Sequence, residues 1–362
     1  MESDKPLVLV TGASGYVAGW AIVKLLNSGK YRVRGTVRDT KNEDKLEPLK
    51  NALQEKCGDN FENFEFAEAE LCDFTSIKLA MEDVTYVLHL ASPMASSTGK
   101  DEENEVIKPA IEGNVNVLNA CIGSTVQRVV ITSSGLTICD HKKGEGVYSH
   151  DSFVEEDKSL DAYSKSKIRA EQAAITLVED LEEKGKRTFD IMFIHPGGIS
   201  GRPLVPQFKG ESIKMFAQIL DGQFSRVPKV YYPMVDVQDT AQAHINAIEY
   251  GTHLGRYPLA NGTHKFKDLC TIMKDKYGPM GYKASDKELC KTAVFVGSLF
   301  SKDVKNIYFH WEIKAELDGE YAKNELHLDD YISAEDSIID TCDFLIENSF
   351  VKEPKKKKGF FG

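Results

Sequence analysis

Short apolar segments alternate with segments of helical periodicity in the amino-terminal half of the chain. The first apolar segment, residues 7–11, fits a strand buried in a parallel sheet. Apolar residues then recur at helical spacing until Asn27-Ser28-Gly29, a combination that ends helices. Residues 31–37 resume as an alternating strand. The pattern predicts strand, glycine turn, helix and strand within about thirty residues, the length of a dinucleotide-binding unit.

The same alternation continues further along the chain. Strands are predicted at residues 64–69, 84–93, 128–137 and 188–203, helices at 102–122 and 161–184, and a polar connecting loop at 140–160. This order is typical of an α/β protein with a Rossmann-type doubly wound parallel sheet. We expect three parts: a Rossmann-type dinucleotide-binding domain of residues 1–196 and 233–262, a smaller C-terminal substrate-binding lobe of residues 197–232 and 263–350, and a basic disordered tail of residues 351–362.

Composition and charge narrow the function classes. The chain of 362 residues is 41% hydrophobic and 28% charged, and its net charge of -11 disfavours a general nucleic-acid binder. Without a run of 18 apolar residues no membrane span is expected. The polar start and the dispersed cysteines favour a cytoplasmic protein with reduced thiols. No His/Cys cluster has zinc spacing, so no metal is expected.

The lysine-rich end of the chain has several interpretations. A nuclear-import signal or a contact with an acidic membrane is compatible with the basic run. A disordered tail is favoured because the run is terminal and follows a proline.

Two glycines follow the first strand directly. Gly12 would permit a tight turn, and Gly15 would let backbone N–H groups approach a pyrophosphate at the positive end of the helix. At the end of the second strand, Arg38 is placed to bind the 2′-phosphate of NADP(H), and Lys45 could assist. Asp39 could instead supply the carboxylate that binds the ribose of NAD. We expect NADP(H).

Tyr163 and Lys167 lie four residues apart in a segment of helical character, which places them on one helix face. An ammonium beside a phenol stabilises the phenolate and would lower the tyrosine pKa from about 10 toward neutrality. Such a phenol could give its proton to a carbonyl oxygen while the carbon receives a hydride. Solvated helix faces carry such pairs by chance. The pair becomes significant here because a dinucleotide-binding unit is predicted upstream of it.

The order of these motifs resembles the extended form of the short-chain dehydrogenase/reductase family over nearly the whole chain. The glycine turn has the family's G-x-x-G-x-x-[G/A] order, with Ala18 in the third place. Residues 89–94 and 235–244 resemble motifs of one subgroup, which contains dihydroflavonol reductase, cinnamoyl-CoA reductase and yeast-type carbonyl reductases.

The resemblance also implies roles for individual residues. Ser134, with Ser133 as the fallback, would orient the substrate, and Lys167 would bind the nicotinamide ribose. Asn116 would order a water or the backbone near the lysine, or it is simply an exposed polar helix residue. Further cofactor contacts are expected from Tyr16, Val17, Glu70, Leu71, Ala91, Pro196 and Ile199, and substrate contacts from Met94, Leu136 and Cys139.

The expected function is therefore an NADPH-dependent reductase of an aldehyde or ketone, acting as a monomer or homodimer on a small-molecule carbonyl substrate. A sugar-nucleotide epimerase or dehydratase on the same scaffold is a second hypothesis, although such relatives usually hold NAD tightly and Arg38 disfavours NAD. A non-enzymatic NADP(H)-sensing protein is a third hypothesis, and the presence of Tyr163 argues against it.

Overall fold

Strands and helices alternate from the amino terminus, as the hydrophobic pattern predicts. The computed structural model describes residues 5–92, 101–206, 211–299 and 302–354. Within these ranges the strands are β1 (Leu7–Val10), β2 (Arg32–Val37), β3 (Phe64–Glu68), β4 (Val84–His89), β5 (Arg128–Thr132), β6 (Gly146–Tyr148), β7 (Asp190–Pro196), β8 (Gly198–Ser200), β9 (Tyr231–Asp236), β10 (Gly255–Leu259), β11 (Thr263–Lys265) and β12 (Ala315–Leu317). The helices are α1 (Tyr16–Asn27), α2 (Glu43–Cys57), α3 (Phe74–Ala80), α4 (Lys108–Cys121), α5 (Ala162–Glu183), α6 (Glu211–Leu220), α7 (Val237–Tyr250), α8 (Phe266–Tyr277), α9 (Lys291–Ser298), α10 (Lys302–Phe309), α11 (Gly319–Glu325) and α12 (Ala334–Glu347).

Seven of these strands form one parallel sheet in the order β10-β7-β5-β4-β1-β2-β3. The chain starts near the middle, winds outward to β3, and returns through β4 to wind in the other direction. This topology confirms the doubly wound parallel sheet. Because the order reverses between β1 and β4, the carboxyl ends of these two strands border the crevice in which such folds bind ligands.

The side chains of β1 divide the interior into two cores. Val8 and Val10 pack with residues of α1, α2 and α7 on one face of the sheet. Leu7 and Leu9 pack with residues of α3, α4 and α5 on the other face. Because successive strand residues point to opposite faces, an apolar run without alternation is what a strand covered on both sides requires.

The segments after β5 differ in detail from the sequence-based expectation. The predicted loop at residues 140–160 contains β6, which pairs in parallel with the distant β12. The strand β9 belongs to a separate sheet with β8 and β11, whereas β10 forms the edge of the main sheet beside β7. A π-helical turn, Glu103–Ile107, precedes α4. The proposed division into domains remains a prediction.

A search of the described residues for helices long and apolar enough to cross a bilayer found none. The lysine-rich run at residues 355–362 lies outside the described residues.

The buried face of α1 should carry a large share of the stability of the sheet. Leu25 on α1 is fully buried, whereas Leu79 on α3 is 61% exposed. We expect Leu25→Ala to lower the free energy of unfolding by about 2–5 kcal/mol, through lost burial and the cavity left behind. Leu79→Ala should change it by less than about 0.5 kcal/mol. Urea denaturation of both variants makes the comparison, and equal losses would contradict this packing.

Candidate active site

One polar stripe of α5 faces the carboxyl end of β5. Asp161 caps α5 and accepts a hydrogen bond from the Ser164 backbone N–H at 2.7 Å. Tyr163 in the first turn of the helix and Lys167 in the second project toward the strand end. The Lys167 Nζ donates to the Thr132 carbonyl oxygen at 3.1 Å, and the side chain of Ser134 lies next to the Tyr163 phenol. The structure thus brings together three residues that the sequence proposes for catalysis.

The phenol of Tyr163 has a pKa that differs in direction from the expectation. Surrounding protein limits the solvation of the phenolate and raises the pKa, although 45% of the residue is exposed. The neighbouring Ser134 side chain opposes this shift of the pKa, and the Lys167 Nζ lies 5.9 Å from the centre of the phenol ring. The predicted lowering of this pKa by Lys167 is therefore corrected, because desolvation outweighs any stabilisation of the phenolate.

The pKa of Lys167 is shifted as well. The side chain is buried, and desolvation lowers its pKa to about 8, although Glu171 acts in the opposite direction. A lysine with such a pKa exchanges its proton close to neutral pH, which suits a group that takes part in proton transfer.

The amino terminus of α1 has the features of an anion-binding site. Gly15 is its N-cap, no described side chain caps the helix, and its first turn has no acidic residue. Gly12 has a φ of +68°, and a Cβ there would lie 3.0 Å from the Cβ of Ala91. The uncapped N–H groups and the side-chain-free turn fit a pyrophosphate bound to backbone donors. The roles of Gly12 and Gly15 in binding a cofactor stay predictions, and Ala91 borders the same turn.

The residues proposed for the adenosine end lie on the surface beside this turn. Arg38 follows β2, its side chain is 78% exposed, and its Nε lies 3.3 Å from the Glu70 carboxylate. Lys45 is exposed in the first turn of α2. An exposed guanidinium with a single acidic neighbour remains accessible to a phosphate.

Asn116 does not reach Lys167. Its side chain donates to the Leu71 carbonyl oxygen at 2.8 Å, on the side of α4 that faces the turn after β3. Asn114 instead borders the small cavity that Lys167 also lines, and it donates to the Ala170 carbonyl oxygen of α5 at 3.1 Å. Residues two apart on a helix face different sides. Only the register of α4 against α5 shows which asparagine lies near the lysine.

The remaining predicted contacts cluster around the exit of β7. Pro196 is buried at the end of this strand, and Ile199 lies in β8. Leu136 is 38% exposed and Cys139 is buried close to the end of β5, whereas Met94 lies outside the described residues.

Tyr16 and Val17 belong to the first turn of α1 rather than to an open cleft. The Tyr16 hydroxyl donates to the Gly201 carbonyl oxygen at 2.5 Å, and the Gly201 N–H donates to the Thr341 hydroxyl of α12 at 2.7 Å. Val17 is partly buried and packs against two cores.

A neighbouring tyrosine was not anticipated from the sequence. Tyr232 on β9 packs its ring onto Gly198, where any Cβ would overlap it, and it contributes to the raised pKa of Tyr163. The paired glycines at 197 and 198 could have suggested a close neighbour, although not which one. Glu171, which is buried one turn beyond Lys167 on α5, was also missed.

The comparisons with known proteins agree with this geometry. Residues 9–250 match the family model of the 3-beta hydroxysteroid dehydrogenase/isomerase family. The chain is 31% identical to dihydroflavonol 4-reductase of Zea mays over 76% of its length and 75% of that protein. It is 32% identical to cinnamoyl-CoA reductase 1 of Arabidopsis thaliana, over 78% of each chain. The solved structure of Gre2 from Candida albicans with NADPH is 25% identical, with a TM-score of 0.76 over 95% of this chain and 99% of that one. The resemblance to the extended short-chain dehydrogenase/reductases is confirmed.

The histidine at the end of β4 should make stability depend on pH. His89 is buried between the Thr11 hydroxyl (2.9 Å) and Asn114 Oδ1 (3.1 Å), and burial lowers its pKa from 6.5 to about 4. The folded protein therefore resists protonation, so stability is full above pH 6.5 and falls as the pH drops toward 4. Between pH 7 and 5 this one group should remove about 2 kcal/mol from the free energy of unfolding.

Denaturation of the wild type and of His89→Gln at both pH values measures this contribution. The variant should show a drop smaller by about 2 kcal/mol. His327→Gln, at an exposed position, should leave the drop unchanged. An equal drop in the wild type and in His89→Gln would contradict the neutral state of His89.

Proposed function

The chain belongs to the 3-beta hydroxysteroid dehydrogenase/isomerase family, and from this premise we propose that it is an NADPH-dependent reductase of an aldehyde or ketone. The single observation that carries the proposal is the contact between Ser134 and Tyr163, next to Lys167, at the carboxyl end of the sheet. This arrangement holds two hydroxyl groups where one carbonyl oxygen could meet both.

The residues at the end of α1 and at the end of β2 fit bound NADP(H). The uncapped end of α1 would hold the pyrophosphate, and Arg38 would pair with the 2′-phosphate at the end of β2. The Candida albicans relative crystallised with NADPH supports the same choice. When bound, NADPH supplies the hydride that the carbonyl carbon receives.

The protein's own groups supply orientation and the proton. Ser134 donates a hydrogen bond to the carbonyl oxygen and fixes its position. Tyr163 transfers its proton to that oxygen as charge develops there, leaving an alcohol product and a phenolate. The raised pKa keeps the phenol protonated before the reaction, as a proton donor requires. Lys167 lies close enough to stabilise the phenolate that remains.

The fold by itself does not distinguish reduction from epimerisation, because one scaffold hosts several chemistries. Arg38 is the observation that favours the reductase, since a guanidinium at this strand end suits a phosphate rather than an unmodified ribose. Protein purified with tightly held NAD⁺ would favour the epimerase.

Removing the proton donor tests the function directly. A panel of aldehydes and ketones, followed by loss of NADPH absorbance, should identify substrates for the wild type. On the best of them Tyr163→Phe should lower kcat by about 10²–10⁴-fold with NADPH affinity near normal, because only proton transfer is lost. The control is Tyr250→Phe, at a tyrosine exposed to a similar extent, 46%. Unchanged turnover in Tyr163→Phe would refute the assigned acid.

Cofactor choice tests the role of Arg38. Replacing it with glutamine removes a charged hydrogen bond worth about 1.5–3 kcal/mol, so NADPH affinity should fall by roughly 10- to 100-fold. NADH affinity should hardly change, because NADH lacks the 2′-phosphate. Arg32→Gln, at the opposite end of β2, is the matched control. Equal weakening of NADPH and NADH, measured by fluorescence titration, would contradict this assignment.

A further inference from the structure

Behind Lys167 lies a buried cluster of ionisable groups that the proposed chemistry does not use. Glu171, His195 and Arg256 are 4%, 0% and 5% exposed. One oxygen of the Glu171 carboxylate accepts from Arg256 Nε at 2.7 Å, and the other accepts from His195 Nε2 at 3.0 Å. Burying these groups is costly unless the pairing has a compensating role.

Hydrogen bonds and a contact with an aromatic ring fix the guanidinium of Arg256. Besides Glu171 it donates to the His150 and Ser152 carbonyl oxygens at 2.9 and 2.5 Å, and its guanidinium lies 3.9 Å from the ring centre of Phe153. Because the arginine is fixed, the Glu171 carboxylate is fixed as well. The cluster is rigid on the side away from Lys167.

On the other side, Glu171 contacts the same strand end as the proposed catalytic residues. Its carboxylate accepts hydrogen bonds from the hydroxyls of Ser133 and, at 3.0 Å, of Thr137. Glu171 also lines the small polar cavity that contains Lys167 and Asn114. Tyr163, Lys167 and Glu171, four residues apart on α5, thus contact Ser134, Thr132 and Ser133 respectively.

We propose that Glu171 is a positioning residue that keeps Lys167 in its charged form and holds the Thr132–Ser134 strand end in place. The catalytic consequence rests on the proposed reductase function, whereas the charge state of Lys167 does not. Glu171 would act through Lys167 without touching the substrate.

Among the described residues, Glu171 is the charged group that acts as counter-ion to Lys167. His89 of β4 and His244 of α7 both interact electrostatically with Lys167. Burial lowers the pKa of each histidine to about 4, so neither is charged near neutral pH. Tyr163 is a neutral phenol under the same conditions. Burial favours the neutral amine, and Glu171 opposes it.

The carboxylate is able to serve in this way because it remains ionised. Burial opposes its ionisation, but the contacts with His195, Arg256 and Ser133 outweigh burial and hold the pKa of Glu171 below its usual value. Burial also lowers the pKa of His195. Its ring is therefore neutral near pH 7 and donates a hydrogen bond to the carboxylate without adding a positive charge to the cluster. Arg256 is then the cation that balances Glu171 from behind.

The test measures the lysine directly in the protein without bound cofactor. Lysine labelled with ¹³C at Cε reports its protonation by NMR, and the signal of Lys167 is assigned by its disappearance in Lys167→Met. In Glu171→Gln the carboxylate charge is lost and the shape is kept. The pKa of Lys167 should then fall by about one unit or more from its value near 8. A smaller fall, or none, would overturn the proposal.

Two further variants keep the test decisive. Arg256 would lose its partner in Glu171→Gln, so the double variant Glu171→Gln/Arg256→Met, which buries neither charge, should show the same fall if the single variant does not fold. Glu179→Gln, on an exposed position of the same helix, should leave the pKa of Lys167 unchanged.

Enzyme kinetics separate this proposal from the proposed function. The alkaline limb of kcat/KM should move to lower pH in Glu171→Gln by the same amount as the pKa, and a fall of one unit from about 8 gives about a fivefold loss at pH 8 and little loss at pH 6. A packing defect that left the pKa of Lys167 unchanged would lower kcat/KM at pH 8 and at pH 6 to the same extent. Reductase activity without a fall in the lysine pKa would overturn the role of Glu171 alone. A fall in that pKa without any carbonyl reduction would overturn the function alone.

Discussion

The candidate site depends on one register: the placement of α5 against the carboxyl end of β5. A helix returns to the same face every four residues or so, and a strand advances its backbone with every residue. Tyr163, Lys167 and Glu171 therefore meet three consecutive residues of one strand end. A shift of α5 by one residue would turn all three side chains away together, so the packing of α5 on α4 and on the sheet is also what aligns the chemistry.

Desolvation sets the electrostatics of this arrangement more than proximity does. It raises the pKa of Tyr163 and lowers that of Lys167, so the phenol is kept neutral and the amine is brought close to its own titration. In such surroundings the placement of one further charge has a large effect, since little water is available to screen it. The buried pairs around Glu171 form where screening is weakest.

Much of the fold followed from the sequence because buried parallel strands and amphipathic helices have distinct periods. The glycine turn and the spacing of Tyr163 and Lys167 are also local signals, which predicted residues that the structure brings to one edge of the sheet. Glu171, Tyr232 and Asn114 were not found, because their significance depends on which distant element packs against them. Glu171 reads as one more acidic residue of a helix until Arg256 and His195, from two other strands, are seen beside it. The pairing of β6 with β12 likewise joins segments that are far apart in sequence.

The contact chain from Tyr16 through Gly201 to Thr341 has a consequence for how the molecule is made. The glycine turn is synthesised long before α12, because most of the sheet and all the other helices lie between them in the sequence. The Tyr16 hydroxyl gains its partner once the Gly201 segment has docked, and the Gly201 N–H gains its acceptor only once α12 has docked as well. The nucleotide-binding end of the sheet is thus completed only after α12 has been synthesised and has docked, and a chain truncated before α12 would retain its sheet-forming segments but lack this closure.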